Sequence, residues 1–313
     1  GITYAQENIG PTAGVFVSHD RMSSRVDYIN RNFLKPMKIP IREITIQRAH
    51  SGLQQMRGLL YLVFGALTAK LHNTNKIVIS ETGQTMFLPQ FSPLDEVTLT
   101  THPALITMVK YLLREAYGMD FEFYEPFANL TKAEVISLCE LKSGIPSTNS
   151  CITTRFANQP VSHCGCCYGC LVRRASCIVA GVKDAQYAKD VLTKDVGDPV
   201  IGGWRGKGIS PSNLTDLQAM ARFARDTLEG RTDDFARLKI ESFSKGDLYK
   251  RFALDVMSSL YLLYDKSSEG RNSWARVFFD ECMKDKLVTK DILENRIAEV
   301  RERKFQPDFN FKI

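Results

Sequence analysis

Cys164, Cys167 and Cys170 recur every third position in His163-Cys164-Gly165-Cys166-Cys167-Tyr168-Gly169-Cys170, and Cys151 supplies a further thiol upstream. Four thiolates around one tetrahedral ion are what a structural zinc site requires, and two-residue spacers let successive ligands turn onto one metal. Gly165 permits a tight backbone turn between the first two of the closely spaced ligands. Cys166 lies inside the run at a spacing that suits a bystander, and His163 is the alternative to Cys151 as fourth ligand. Five of the eight cysteines fall between Cys151 and Cys170, which argues against scattered use in a core. A closed set of four thiolates leaves no open position for a substrate, so the zinc it implies is structural.

The chain that must position these thiols has 313 residues, enough for about two domains. No apolar run approaches the roughly 20 residues of a membrane span. Gly1-Ile2-Thr3-Tyr4-Ala5-Gln6-Glu7-Asn8 has neither the basic start nor the apolar middle of a signal peptide. Thiols in a chain without an export signal read as reduced and metal-bound, which predicts a cytoplasmic protein. The formal charge of +6 permits contact with ATP, nucleic acid or an acidic partner and selects none of them.

Apolar runs at Val15–Ser18, Ile41–Ile46, Ile77–Ser80 and Phe121–Glu125 predict four strands, with helices between them. Met22, Val26, Ile29 and Phe33 recur at helical spacing. Leu53 to Leu71 is apolar almost all round, as in a covered helix. Leu105, Met108, Val109, Leu112 and Ala116 mark another helix, opened by Pro103. Thr131-Lys132-Ala133-Glu134 is a capping box, and Gly144 with Pro146 should end the helix it starts. Beyond the cysteines the pattern turns helical, at Leu214–Leu228, from Ser244 through Val256, and from Thr289 through Val300. The expected fold is α/β, a Rossmann-like parallel sheet with a zinc-binding appendage and a helical C-terminal domain. Its expected divisions are residues 1–182, a linker over 183–208 that includes the glycine-rich Asp195–Gly208, and 209–313.

Several polar residues fall where such a fold does chemistry. Ser18 and His19 follow a strand at the carboxyl edge of the sheet, where doubly wound folds bind ligands, although an ordinary loop pair reads the same. Arg57 opens a buried helix, where phosphate or a structural carboxylate would answer its charge. Glu81 stands at a strand end and suits a substrate-facing carboxylate. His102 precedes Pro103; Thr101 is the commoner capping type, which leaves His102 available to a ligand. Capping accounts for Thr131 and Glu134 but not for Lys132, whose charge at a helix start suits a bound anion. Gly202-Gly203-Trp204-Arg205-Gly206-Lys207-Gly208 reads as a linker before it reads as an anion loop.

In motif order, Leu130-Thr131-Lys132-Ala133-Glu134, then Cys151, then Cys164-Gly165-Cys166-Cys167-Tyr168-Gly169-Cys170-Leu171-Val172-Arg173, the chain resembles the 7-cyano-7-deazaguanine synthase (QueC) family of PP-loop ATP pyrophosphatases. The likeness runs from about Val15 to Ala180. Glu81-Thr82-Gly83 and Thr100-Thr101-His102-Pro103, with the extended helical C-terminus, are more similar to the QueC-like (QatC) group of the Qat anti-phage defence system. Thr82 stands where that group usually has asparagine. The family's serine-glycine-glycine-x-aspartate-serine phosphate loop and its first strand do not occur in this sequence, and Gly1–Gly10 resembles the tail of the helix that follows them. The expectation is a shortened form or a segment of a longer chain.

The resemblance implies an ATP-dependent ligase. ATP with Mg²⁺ would adenylate a 7-deazaguanine carboxylate, and an amine, of ammonia or of a partner polypeptide of a defence operon, would displace AMP. Lys132 and Glu81 would then be catalytic. Ser18, His19 and Arg57 would hold the nucleotide, and Thr82, Gly83, His102 and Thr131 the substrate. Zinc would sit on Cys151, Cys164, Cys167 and Cys170. The rivals are a non-catalytic zinc-stabilised scaffold that binds partner proteins or RNA, and a PP-loop tRNA-modifying enzyme.

Overall fold

The β-branched and aromatic runs form strands where expected. In the computed structural model, β1 (Gly14–Ser18) pairs in parallel with β2 (Ile41–Thr45), Gly14 opposite Ile41 and Ser18 opposite Thr45. The structure describes residues 5–7, 10, 12–18, 27–45, 57–87, 101–151, 161, 163–199, 208–231, 245–266, 274–308 and 311. Helix α1 (Arg57–Leu71) leads to β3 (Lys76–Val78). Helix α2 (Pro103–Tyr117) precedes β4 (Glu122–Tyr124), which runs parallel to β3 with Lys76 opposite Glu122 and Val78 opposite Tyr124.

Leu62 and Ala66 of α1, Ile106, Val109 and Leu113 of α2, and Phe121 and Phe123 beside and within β4 form one buried cluster. Helical spacing puts the α2 residues on one stripe, and that stripe is what the strands and α1 cover. Gly118, with φ +61, takes the left-handed conformation that stops α2. The architecture is therefore α/β, mostly helical, with two small parallel sheets among the described residues.

These strands and helices belong to one compact unit, Gly1–Leu88 with Glu96–Leu130 and Gln306–Ile313; the other comprises Pro89–Asp95 and Thr131–Phe305. The tail returns to the first unit by hydrogen bonds from Asp308 N to Pro126 O and from Glu125 N to Phe311 O.

The second unit opens with α3 (Lys132–Leu138), followed by α4 (Tyr168–Ala180), α5 (Thr215–Leu228), α6 (Lys245–Lys266), α7 (Trp274–Lys284) and α8 (Lys290–Arg301). Helices α4 and α7 were not anticipated by the periodicity argument. Helix α3 ends at Leu138, and Gly144 and Pro146 lie instead inside a separate 3₁₀ turn, Lys142–Ser147.

Packing within the second unit ties α3 to the helices that follow it. Ala133 of α3, Val179 and Ala180 of α4, and Ile297 and Val300 of α8 make one apolar cluster. The Glu134 carboxylate of α3 is bound by Arg251 Nη1 of α6 at 2.6 Å and Arg296 Nη2 of α8 at 2.7 Å. Arg296 Nε in turn binds Asp255 at 2.8 Å, all within 2% of full burial for Glu134, Asp255 and Arg296. A buried charge survives only when paired in this way.

No helix among the described residues is long and apolar enough to cross a membrane.

Candidate metal centre and carboxyl-edge site

The four cysteine sulfurs come from three pieces of backbone. Cys151 follows the 3₁₀ turn, Cys164 sits before the Gly165 turn, Cys167 is the N-cap residue of α4, and Cys170 lies in its first turn. All four are buried, and their sulfurs lie within 4.8 Å of one another. Cys164 Sγ and Cys170 Sγ are 3.8 Å apart. Sulfurs about 2.3 Å from a tetrahedral zinc have edges of roughly 3.8 Å, so the set has the dimensions to hold that ion. The group includes Cys151 and leaves out His163, whose Nε2 accepts from Ser150 N at 3.5 Å. Cys166 is half-buried outside the set.

Backbone amides complete the centre. Cys164 N donates to Cys151 Sγ and Cys167 N to Cys164 Sγ, each at 3.4 Å. Such donors favour the ionised sulfur. Hydrogen bonds from its neighbours, that of Cys151 first, push the Cys164 thiol far down, while bonding to Cys151 and then Cys164, with burial, holds Cys167 and Cys170 up. Cys151 moves down to about 7: its bond with Cys164 raises it, and those with Cys167 and Cys170 outweigh that. Two sulfurs of the set are thus drawn toward the thiolate and two are held toward the thiol, and a bound cation would favour the thiolate at all four.

Arg173 of α4 holds the segment that leads into Cys151. It is 3% exposed and binds Asp184 at 2.8 Å, Thr148 Oγ1 at 2.6 Å and Ile145 O at 2.5 Å. Asp184 also accepts from the Tyr187 hydroxyl. Residues after α4 then lock onto the knuckle, with Ala188 N donating to His163 O at 2.9 Å and Lys189 N to Cys164 O at 2.8 Å.

In the strand unit, Glu81, Thr82 and Gly83 follow β3. Glu81 is half-buried, and Thr82 starts a single helical turn, Gly83–Met86. Gly83 N lies between two acceptors, Phe127 O at 3.0 Å and Leu130 O at 2.9 Å, which ties this turn to the chain after β4. His102, and not Thr101, caps α2: its Nδ1 accepts from Ala104 N at 3.2 Å. With Pro103 at the first helical position, the amide that most needs a partner is that of Ala104, which the ring nitrogen reaches. His102 is 4% exposed and meets Phe87 edge-on at 6.2 Å.

Thr131 spends its hydroxyl on Glu134 N at 3.4 Å, and Glu134 returns a bond to Thr131 N at 2.8 Å, so the capping box is formed. The two arginines on Glu134 are a function that capping alone did not anticipate; their distance in the chain left no local signal. Lys132 is the half-buried first residue of α3. Ser18 closes β1 and Arg57 opens α1, as expected, although only their backbone is described. His19, Thr100 and Gly202–Lys207 lie outside the described residues.

One acid was missed by the sequence reading. Glu125, directly after β4, is 1% exposed, and neither side-chain oxygen has a hydrogen-bond partner among the described residues. Burial, and then the charge of Glu81, push its carboxyl up to about 8.

Against known family models, curated proteins and solved structures, the chain finds no match.

Proposed function

We propose that this chain is a QueC-like, zinc-stabilised ATP-dependent enzyme of bacterial anti-phage defence, built on a Rossmann-like sheet. The observation that carries the reading is a buried four-sulfur centre downstream of a formed threonine-lysine-alanine-glutamate capping box. The parallel strand pairs support it, since nucleotide-binding α/β folds are assembled from them.

Zinc is the ion the thiolate set suits, and its task is structural, because four protein ligands close its coordination. The chemistry would be adenylation of a 7-deazaguanine carboxylate, followed by attack of an amine from a partner polypeptide. Mg²⁺ with ATP would supply charge stabilisation, which positioned cations provide at developing negative charge. In this scheme Glu81 serves the reaction, Thr82, Gly83 and His102 the substrate, and Ser18, His19 and Arg57 the nucleotide.

The test is incubation of the full-length protein and its operon partners with ATP, Mg²⁺ and 7-carboxy-7-deazaguanine. AMP and pyrophosphate are expected; no AMP would end the ligase reading. Thermal stabilisation by ATP with Mg²⁺ separates an enzyme from a scaffold, since a ligand stabilises only the state that binds it.

A further inference from the structure

At the carboxyl ends of β3 and β4, two acids lie close enough to influence one another. Glu125 directly follows β4, and Glu81 stands three positions past the last residue of β3. The Glu125 main chain is committed, its N–H to Phe311 O at 3.2 Å and its carbonyl to Ala128 N at 3.1 Å. Its buried side chain is committed to nothing among the described residues. An unanswered buried polar group costs about 1–3 kcal/mol, and native structures rarely keep one without a use.

A second such oxygen stands on the element that joins these strands. Thr101, just before the His102 cap of α2, is 7% exposed, and its hydroxyl has no partner among the described residues. The carboxyl edge of a parallel strand pair is where α/β folds take ligands.

We propose that Glu125, backed by Glu81, is the specificity-determining acid of a ligand site at this edge, accepting two adjacent N–H donors of a planar nitrogen heterocycle. A carboxylate has two coplanar acceptor oxygens, which match a ring N–H and a neighbouring exocyclic amine as two parallel bonds. The adjacent acid disfavours anions and lone-pair edges. A hydrated Mg²⁺ ion keeps several waters and is a poor match for a carboxyl that is 1% exposed. The inference rests on the substrate edge proposed above and adds the residue that reads the base.

Accepting two donors requires the ionised acid. At pH 7 the resting Glu125 carries its proton, so binding forms two N–H···O bonds and releases that proton to solvent. Among the described residues, Glu81 is the charged group acting on it.

Titration calorimetry of the full chain at pH 7, in two buffers of different ionisation heat, tests this with three probes. They are 7-carboxy-7-deazaguanine, its analogue lacking the 2-amino group, and 9-methylguanine. The wild type should bind both amino heterocycles, release about one proton, and bind the desamino analogue roughly tenfold or more weakly. Glu125→Gln should lose about tenfold to a hundredfold for the amino heterocycles and nothing for the analogue, with proton release abolished. Equal binding of all three, no proton release, or no binding by any probe overturns the proposal. The wild-type arms do so without reliance on the folding of the variant. Discrimination without AMP formation would defeat the ligase reading alone; AMP formation without Glu125 dependence would defeat this one alone.

Discussion

Glu134, in the larger unit, accepts from the Thr131 amide and from two arginines. Glu125, in the strand unit, is equally out of reach of solvent and accepts from none of the described residues. The first glutamate closes a network that joins α3, α6 and α8. The second has side-chain oxygens with no partner among the described residues, and the charge of another acid acts on it. Burial alone therefore says little about a carboxyl group; what distinguishes a structural acid from a recognition acid is whether its oxygens are already answered. The same contrast separates the four-sulfur centre, whose ligands would be satisfied by one ion, from the carboxyl ends of β3 and β4, where Glu125 and Thr101 keep side-chain oxygens without a partner among the described residues.

The comparison can be broken most forcefully at the thiols. Structural zinc is worth about 10–16 kcal/mol in small zinc folds, so Cys167→Ser should drop bound zinc from about one ion per chain to none and unfold the larger unit. Elemental analysis with circular dichroism checks this; unchanged zinc and helicity would remove the centre. Next in size is Arg296→Met. It strands Asp255 and half of the Glu134 cradle, at a cost of about 3–5 kcal/mol by denaturant unfolding. Arg251→Met should cost less, because that side chain is 18% exposed and the charge it leaves retains Arg296.

Glu125 should behave in the opposite sense. Its folded pKa is raised above the ordinary value, so the folded state binds the extra proton between pH 4.5 and about 8. Its contribution is fully present below pH 4.5 and is lost as pH rises through about 8. Glu125→Gln should raise the melting temperature at pH 8, by an amount worth several kcal/mol, and leave it unchanged at pH 4. A variant less stable than wild type at pH 8 would show that the carboxylate has a hidden partner. The smallest effect is at the cap: Thr131→Ala should cost about 1 kcal/mol, read by the same unfolding curves.

The strands and most helices were legible because apolar periodicity is a local signal, and the capping box and the cysteine set are local as well. Helix α4 was obscured by the cysteines and arginines that occupy its length. The long-range partners had no such signature: nothing near Glu134 announces Arg251 or Arg296. Thr101 outranks histidine as a capping type, yet backbone position gave the cap to His102. Glu125 reads as the polar end of a strand, and only tertiary packing reveals that it is enclosed.

Gly165 carries a consequence for the stretch that composition marks as a spacer. With φ +84, it lies so close to the chain at Lys189 that a methyl group in place of its hydrogen would stand 2.1 Å from the Lys189 carbonyl oxygen. The knuckle and the strand of chain leaving α4 thus fit like hasp and staple. Chelation should therefore free residues 187–189 to exchange their amide hydrogens at the same rate as the cysteine turn, making this spacer a reporter of metal occupancy.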